Sequence, residues 1–183
     1  MRPLQWIGLG LALVVLDASV GDPGRDLVPD PLGWALVLLG VRRLPARVGH
    51  QSLLLGLAGV AGLVSLVLWL PPLAGAVRDL DDSLRWLLDL PAPGFVLLLA
   101  LALRGVTDDD RPARTGWQVV ATGAVLTMLL PPVVYGGGAV GLALPAAGVA
   151  IGTLVAAVVL CFTHSARPWA YDVVAADPAP SGG

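Results

Sequence analysis

Four carboxylates gather around one guanidinium near the start of this chain, where Asp17, Asp22, Asp26 and Asp30 flank Arg25 in DASVGDPGRDLVPDPLGW. Carboxylate oxygens brought together over so short a stretch supply ligands for Ca²⁺ or Mg²⁺. Their spacing lacks the alternating ligands and central glycine of an EF-hand loop. It also lacks the paired-Asp, Gly and Ala-Arg motif of the CDP-alcohol phosphotransferases. A plainer assignment is favoured, because Asp is a common N-cap and turn residue: Asp17 ends one helix, Asp30 caps the next just before Pro31 and Gly33, and the others keep a turn in water. Asp17, at the edge of a short apolar stretch, would sit near membrane depth, where ionisable groups are costly and tend to be functional. Asp17, Asp26 and Asp30 are therefore the candidate ligand- or ion-binding residues, with no catalytic residue, metal site or cofactor assigned.

Other reactive groups form no constellation. His50 and His164 are far apart and read as polar residues at helix ends, and no HExxH, paired cysteine or glycine-rich phosphate loop occurs. Ser65, Thr122, Thr127 and Thr153 fall inside apolar stretches, where a hydroxyl usually bonds its own helix backbone. Asp108, Asp109 and Asp110 beside Arg104, Arg111 and Arg114 read as a solvated loop with local ion pairs. Pro131 and Pro132, then Gly136, Gly137 and Gly138, read as a mobile loop around Tyr135 that gates a pathway or simply joins helices. The single cysteine, Cys161, excludes an internal disulfide.

The elements that position these residues are apolar. Hydrophobic residues make up 56% of the 183 and charged ones 13%, and the mean hydropathy is +0.82, far from a water-soluble average. All eleven basic residues are Arg, all thirteen acidic residues are Asp, and the net charge of −2 with scattered Arg argues against a nucleic-acid partner. At about 20 apolar residues per crossing helix, the chain holds about six spans, expected near 4–20, 31–44, 52–71, 91–105, 116–133 and 139–163. The apolar cores at Leu32 and Phe95 are short for a full crossing. Val77 to Leu90 reads as an interfacial amphipathic helix, and 172–183 as a disordered tail. A cleaved signal peptide competes for the first stretch, but its n-region is minimal and its cleavage box poor. The fold class expected is all-α, a polytopic membrane helix bundle of about six transmembrane helices in three hairpins.

Charge orients it. With the N-terminus in the cytoplasm, Arg2, Arg42, Arg43, Arg47, Arg104, Arg111, Arg114 and Arg167 fall inside, and only Arg25, Arg78 and Arg85 outside. That bias favours both termini in the cytoplasm of a bacterial plasma membrane. Trp6, Trp117 and Trp169 then mark the inner membrane boundary, and Trp34, Trp69 and Trp86 the outer.

Two motifs recur. PDPLGWALVLLGVRRL, LPAPGFVLLLALALRG and LPAAGVAIGTLVAAVV each place a proline shortly before a glycine and then run apolar, while WLPP at Trp69 and LLPP at Leu129 stand sixty residues apart. The shared offsets favour three hairpins in parallel orientation. Gly148, Gly152 and Ala156, at four-residue spacing, are expected to pack helices inside the protomer before they join copies of the chain. The partners expected are the lipid bilayer and a second copy or another membrane protein.

DLVPDPLGWALVLLG, Asp26 to Gly40, resembles an N-terminal signature of uncharacterised small multi-pass membrane proteins of bacteria: an aspartate, two aliphatics, Pro-Asp, a short gap and Gly-aromatic leading into an apolar helix. The match covers about the first quarter of the chain and does not extend beyond Leu44. It implies a membrane location with no assigned activity, and it directs attention to Asp26, Pro29, Asp30, Gly33 and Trp34. The expectation is a membrane-embedded binding, structural or accessory component without enzyme activity. Two alternatives are a small-solute or ion translocator using the acidic hairpin and a membrane-embedded lipid-handling enzyme. Polar groups converging at mid-membrane would favour the first, and a pocket joining Asp17, Asp26 and Asp30 beneath an apolar cleft would favour the second.

Overall fold

Prolines and capping aspartates set the helix ends in this computed structural model, which describes residues 1–20, 30–70, 73, 75, 77 and 81–171, without the side chains of 17–20 and 82. The helices are α1 (Pro3–Val20), α2 (Asp30–Arg42), α3 (Gln51–Trp69), α4 (Asp82–Asp89), α5 (Pro91–Gly105), α6 (Arg111–Pro131) and α7 (Ala143–His164). No strand occurs among the described residues. Pro91 opens α5, where a missing N–H costs nothing. Asp81 and Asp110 cap α4 and α6 by accepting from the amides of Ser83 and Ala113.

Four helical runs are long and apolar enough to cross a membrane: Gln51–Trp69, Ser83–Gly105, Arg111–Gly136 and Val140–His164. Pro3–Leu16 is a shorter apolar helix, and the 13 residues of α2 reach about 20 Å. The short fourth stretch gains its length from its neighbour. Leu90 keeps helical angles (φ −60°, ψ −33°), so the amphipathic α4, expected as a separate surface helix, runs directly into the 15 residues of α5.

Six of the helices close into a ring in which α1 packs on α2, α2 on α3, α3 on α5, α5 on α6, α6 on α7, and α7 back on α1. The α3–α5 seam is the smallest of the six. The interior is filled by Leu4, Ile7, Leu11, Val37, Leu54, Phe95, Leu99, Leu103 and Val120, each at most 1% exposed. Trp34 joins this core, 2% exposed, with its ring edge-on to Phe95 at 5.7 Å between centroids. Trp34 and the fully buried Trp117 therefore anchor the bundle from within, whereas Trp69 is 45% exposed.

Close helix approach occurs at glycines seven residues apart, which return to one face after two turns. A Cβ on Gly40 would lie 2.9 Å from both the Ile7 nitrogen and the Pro3 oxygen, and one on Gly33 would lie 2.8 Å from the Gly10 oxygen. Gly116 and Gly123 repeat the device toward Leu160 and Thr153 of α7. The expected packing at Gly148 and Gly152 does not hold inside the protomer. Both are exposed, and a Cβ on either would meet nothing within 4 Å. Ala156 alone of that stripe packs against the core.

Candidate functional site

Two adjacent prolines interrupt the hydrogen-bond ladder at the end of α6. An α-helix would need an amide at Pro131 for the Thr127 carbonyl and one at Pro132 for the Met128 carbonyl, and proline has neither. The chain widens into a π-helical turn over Pro132–Gly136, in which the Gly137 amide donates to the Pro132 oxygen at 3.0 Å. Trp86 of α4 repairs part of the loss, its Nε1 donating to the Met128 oxygen at 3.0 Å. For the Thr127 carbonyl the π-register partner is again a proline. Single π turns of this kind are frequent at functional sites. The segment expected as a mobile loop is thus an ordered extension of α6, with Val134 fully buried.

Three cavities that share lining residues adjoin this turn, the outermost between α4 and the end of α6 and the other two between α6 and α7, the last also reaching α5. The outermost, about 400 Å³, lies among Asp81, Ser83, Trp86, Tyr135 and Gly136. It shares Pro131 and Tyr135 with a second of about 190 Å³, walled by Val134, Ala143, Ala146 and Ala147. Thr127 and Ala150 link that to a third of about 60 Å³ against Ala92, Val96, Ala124 and Thr153. At its floor the Thr153 hydroxyl occupies the space that a Cβ on Gly123 would take, and the Thr127 hydroxyl donates to the Gly123 oxygen at 2.9 Å. Among the described lining residues Asp81 is the single carboxylate and none is basic. The Ser83 amide, 2.8 Å away, holds the Asp81 carboxyl below the usual carboxylate range, so it is charged at neutral pH.

The opposite end of the bundle carries the Arg-rich loops. Arg47 donates to the carbonyls of Pro168, at 3.1 Å, and Tyr171, at 2.6 Å. Arg2 donates to the Ser165 oxygen and lies over the Tyr171 ring. Arg167 pairs with Asp110 at 3.4 Å. These bonds tie the segment after α7 to the N-terminus, to the loop between α2 and α3 and to the loop before α6. They enclose His164, the last residue of α7, which is only 8% exposed between Trp117 and Trp169. Its Nδ1 and the indole nitrogens of Trp6, Trp117 and Trp169 are buried without a hydrogen-bond partner.

The residues singled out in the sequence distribute unevenly over this frame. Asp30 is the first residue of α2, where a carboxylate meets the positive end of the helix dipole. Asp26, Pro29, Asp22 and Arg25 lie outside the described residues, as does the side chain of Asp17. Asp30, the described acid of the hairpin, lines none of the three cavities. Gly33 and Trp34 take structural places, Gly33 against Gly10 and Trp34 against Phe95. No group of three or more His, Cys or Asp side chains is placed to hold a metal among the described residues. Sequence reasoning left Asp81 and Ser83 in an amphipathic surface helix and Trp86 at the outer membrane boundary, and joined none of them to a site. The readable signal was the proline pair, which removes the donors for two carbonyls and calls for a nearby side-chain donor.

The chain matches no family model, no curated protein and no solved structure.

Proposed function

We propose that this protein is a six-span integral membrane protein of a bacterial plasma membrane that binds a hydrophobic ligand rather than transforming one, as an accessory or structural component. The observation that carries this reading is the series of three adjoining cavities leading from Asp81 to Thr153. Their walls are mainly apolar with a few polar groups at the mouth, the usual composition of a small-molecule site. Placing α1 and α2 among the spans is supported by Leu4, Ile7 and Leu11, fully buried in the same core as Phe95 and Leu99. A cytoplasmic placement of both termini is supported by the Arg bias, since Arg2, Arg47 and Arg167 meet at one end of the bundle. An arrangement as three hairpins is supported by the recurring Pro-Gly openings and by the glycine seams within α1–α2 and α6–α7.

The test is a thermal-stability screen of the detergent-purified protein against lipids and small solutes, run beside Ala146→Leu, which fills the second cavity. A ligand at a hundred times its dissociation constant stabilises by about 2.7 kcal/mol. A shift in the parent that shrinks in Ala146→Leu supports the reading. If every shift is the same in the variant, the cavities are not the binding site. A second reading, translocation of a small solute, is favoured by the proline-broken α6 beside cavities that reach Thr153. It predicts solute flux into proteoliposomes that Thr153→Leu abolishes.

A further inference from the structure

The cavities carry hydroxyls and, among the described lining residues, a single carboxylate, and that chemistry selects an occupant. Pro131 and Pro132 remove two amides from the wall, leaving the Thr127 carbonyl with neither an α-register nor a π-register donor. The mouth adds the charged Asp81 carboxylate beside the rings of Trp86 and Tyr135. Anionic groups find no basic side chain among the described lining residues. A cation finds a carboxylate and aromatic faces, a combination that attracts ammonium groups. Below the mouth the walls turn to Val134, Ala143, Ala146 and Ala147, then Val96 and Ala124, surfaces suited to a hydrocarbon chain.

Building on the binding role proposed above, we infer that the cavities beside the π turn hold one membrane lipid with an ammonium-bearing head, its head between α4 and the turn at Asp81, Trp86 and Tyr135 and one acyl chain between α6 and α7 along Ala146 toward Thr153. The π turn makes the site polar on one side only. Trp86 holds the turn in place through the Met128 carbonyl, and the head group sets its ammonium beside the Asp81 carboxylate at the mouth. A phospholipid with a primary-amine head offers three donors and a positive charge. One with a glycerol head offers hydroxyl donors but no positive charge, and its phosphate leaves it a net anion beside the Asp81 carboxylate.

The experiment is native mass spectrometry of the full chain, released from detergent supplemented with equal amounts of phosphatidylethanolamine and phosphatidylglycerol bearing identical chains. One bound lipid is expected, phosphatidylethanolamine over phosphatidylglycerol by tenfold or more. Asp81→Asn, which keeps the cap, should bring that ratio toward one, while Ala146→Leu should lower retention of both lipids together. Equal retention of the two lipids by the parent, or a preference unchanged in Asp81→Asn, overturns the head-group assignment while leaving a hydrophobic binding role standing. Retention of no lipid by a folded parent overturns both. Melting curves of each variant confirm that a lost lipid is not a lost fold.

Discussion

Gly40→Ala should loosen the closest helix seam of the bundle. The added Cβ would lie 2.6 Å from Ile7 Cγ1 and 2.9 Å from both the Ile7 nitrogen and the Pro3 oxygen. Carbon contacts are optimal at about 3.5–4.0 Å, and two of these three atoms are backbone, so α1 and α2 must part by roughly 0.6–1 Å. A gap of that size forfeits about a quarter to a half of the dispersion along a seam, and overpacking of this kind costs about 1–3 kcal/mol. The methyl returns about 1 kcal/mol through helix propensity, leaving a net loss of up to about 2 kcal/mol. For a chain of this length that lowers the melting temperature by up to about 8 °C. Gly148→Ala is the control, since nothing lies within 4 Å of its added Cβ and propensity alone should leave it unchanged or slightly more stable. The assay is thermal unfolding in one detergent, followed by tryptophan fluorescence. A Gly40→Ala protein that melts at or above the parent, alongside Gly148→Ala, would refute the close seam.

Other perturbations follow from single contacts. Trp34→Ala empties a core position 2% exposed and should cost about 3–5 kcal/mol; the same unfolding assay should find Trp69→Ala much milder. Trp86→Phe removes the donor to the Met128 carbonyl and should cost about 1–3 kcal/mol. Its mark would be faster amide exchange over residues 133–137, and unchanged exchange there would contradict the repair role. Arg47→Ala releases two carbonyls after α7, so proteolysis within 165–171 should quicken while the bundle melts as before. The Asp81 carboxyl is held below its ordinary value by the Ser83 amide. Its contribution is therefore complete above the unfolded carboxylate pKa of about 3.9 and is lost as the pH falls through the lowered folded value. Asp81→Asn, capping at every pH, should flatten that acid limb of the stability curve, and an unchanged limb would assign it to another carboxylate.

Hydropathy alone located the apolar stretches, because a helix in lipid must satisfy its own backbone and show an apolar surface over its whole length. The ranges 52–71, 116–133 and 139–163 come close to α3, α6 and α7. The short fourth stretch was harder, since the charges of α4 concealed that it continues into α5. Gly33 and Trp34 stood out through their motif, yet their partners Gly10 and Phe95 come from other helices, which no local pattern names. The glycine stripe at 148 and 152 misled for a related reason. Small residues permit close approach, but only the arrangement of neighbours decides which glycines are approached, and here these are the pairs at 33 and 40 and at 116 and 123.

The candidate site divides in the same way. Pro131 and Pro132 determine by covalent structure alone that two carbonyls lose their helical donors, and composition determines that most of the chain is apolar. Only the tertiary structure decided that Trp86, more than forty residues earlier in the chain, supplies one of those donors, and that Asp81 and Tyr135 share a cavity above Thr127 and Thr153. Backbone chemistry is local and can be read along the chain. A cavity exists only where several helices, brought side by side by packing, fail to fill the space between them.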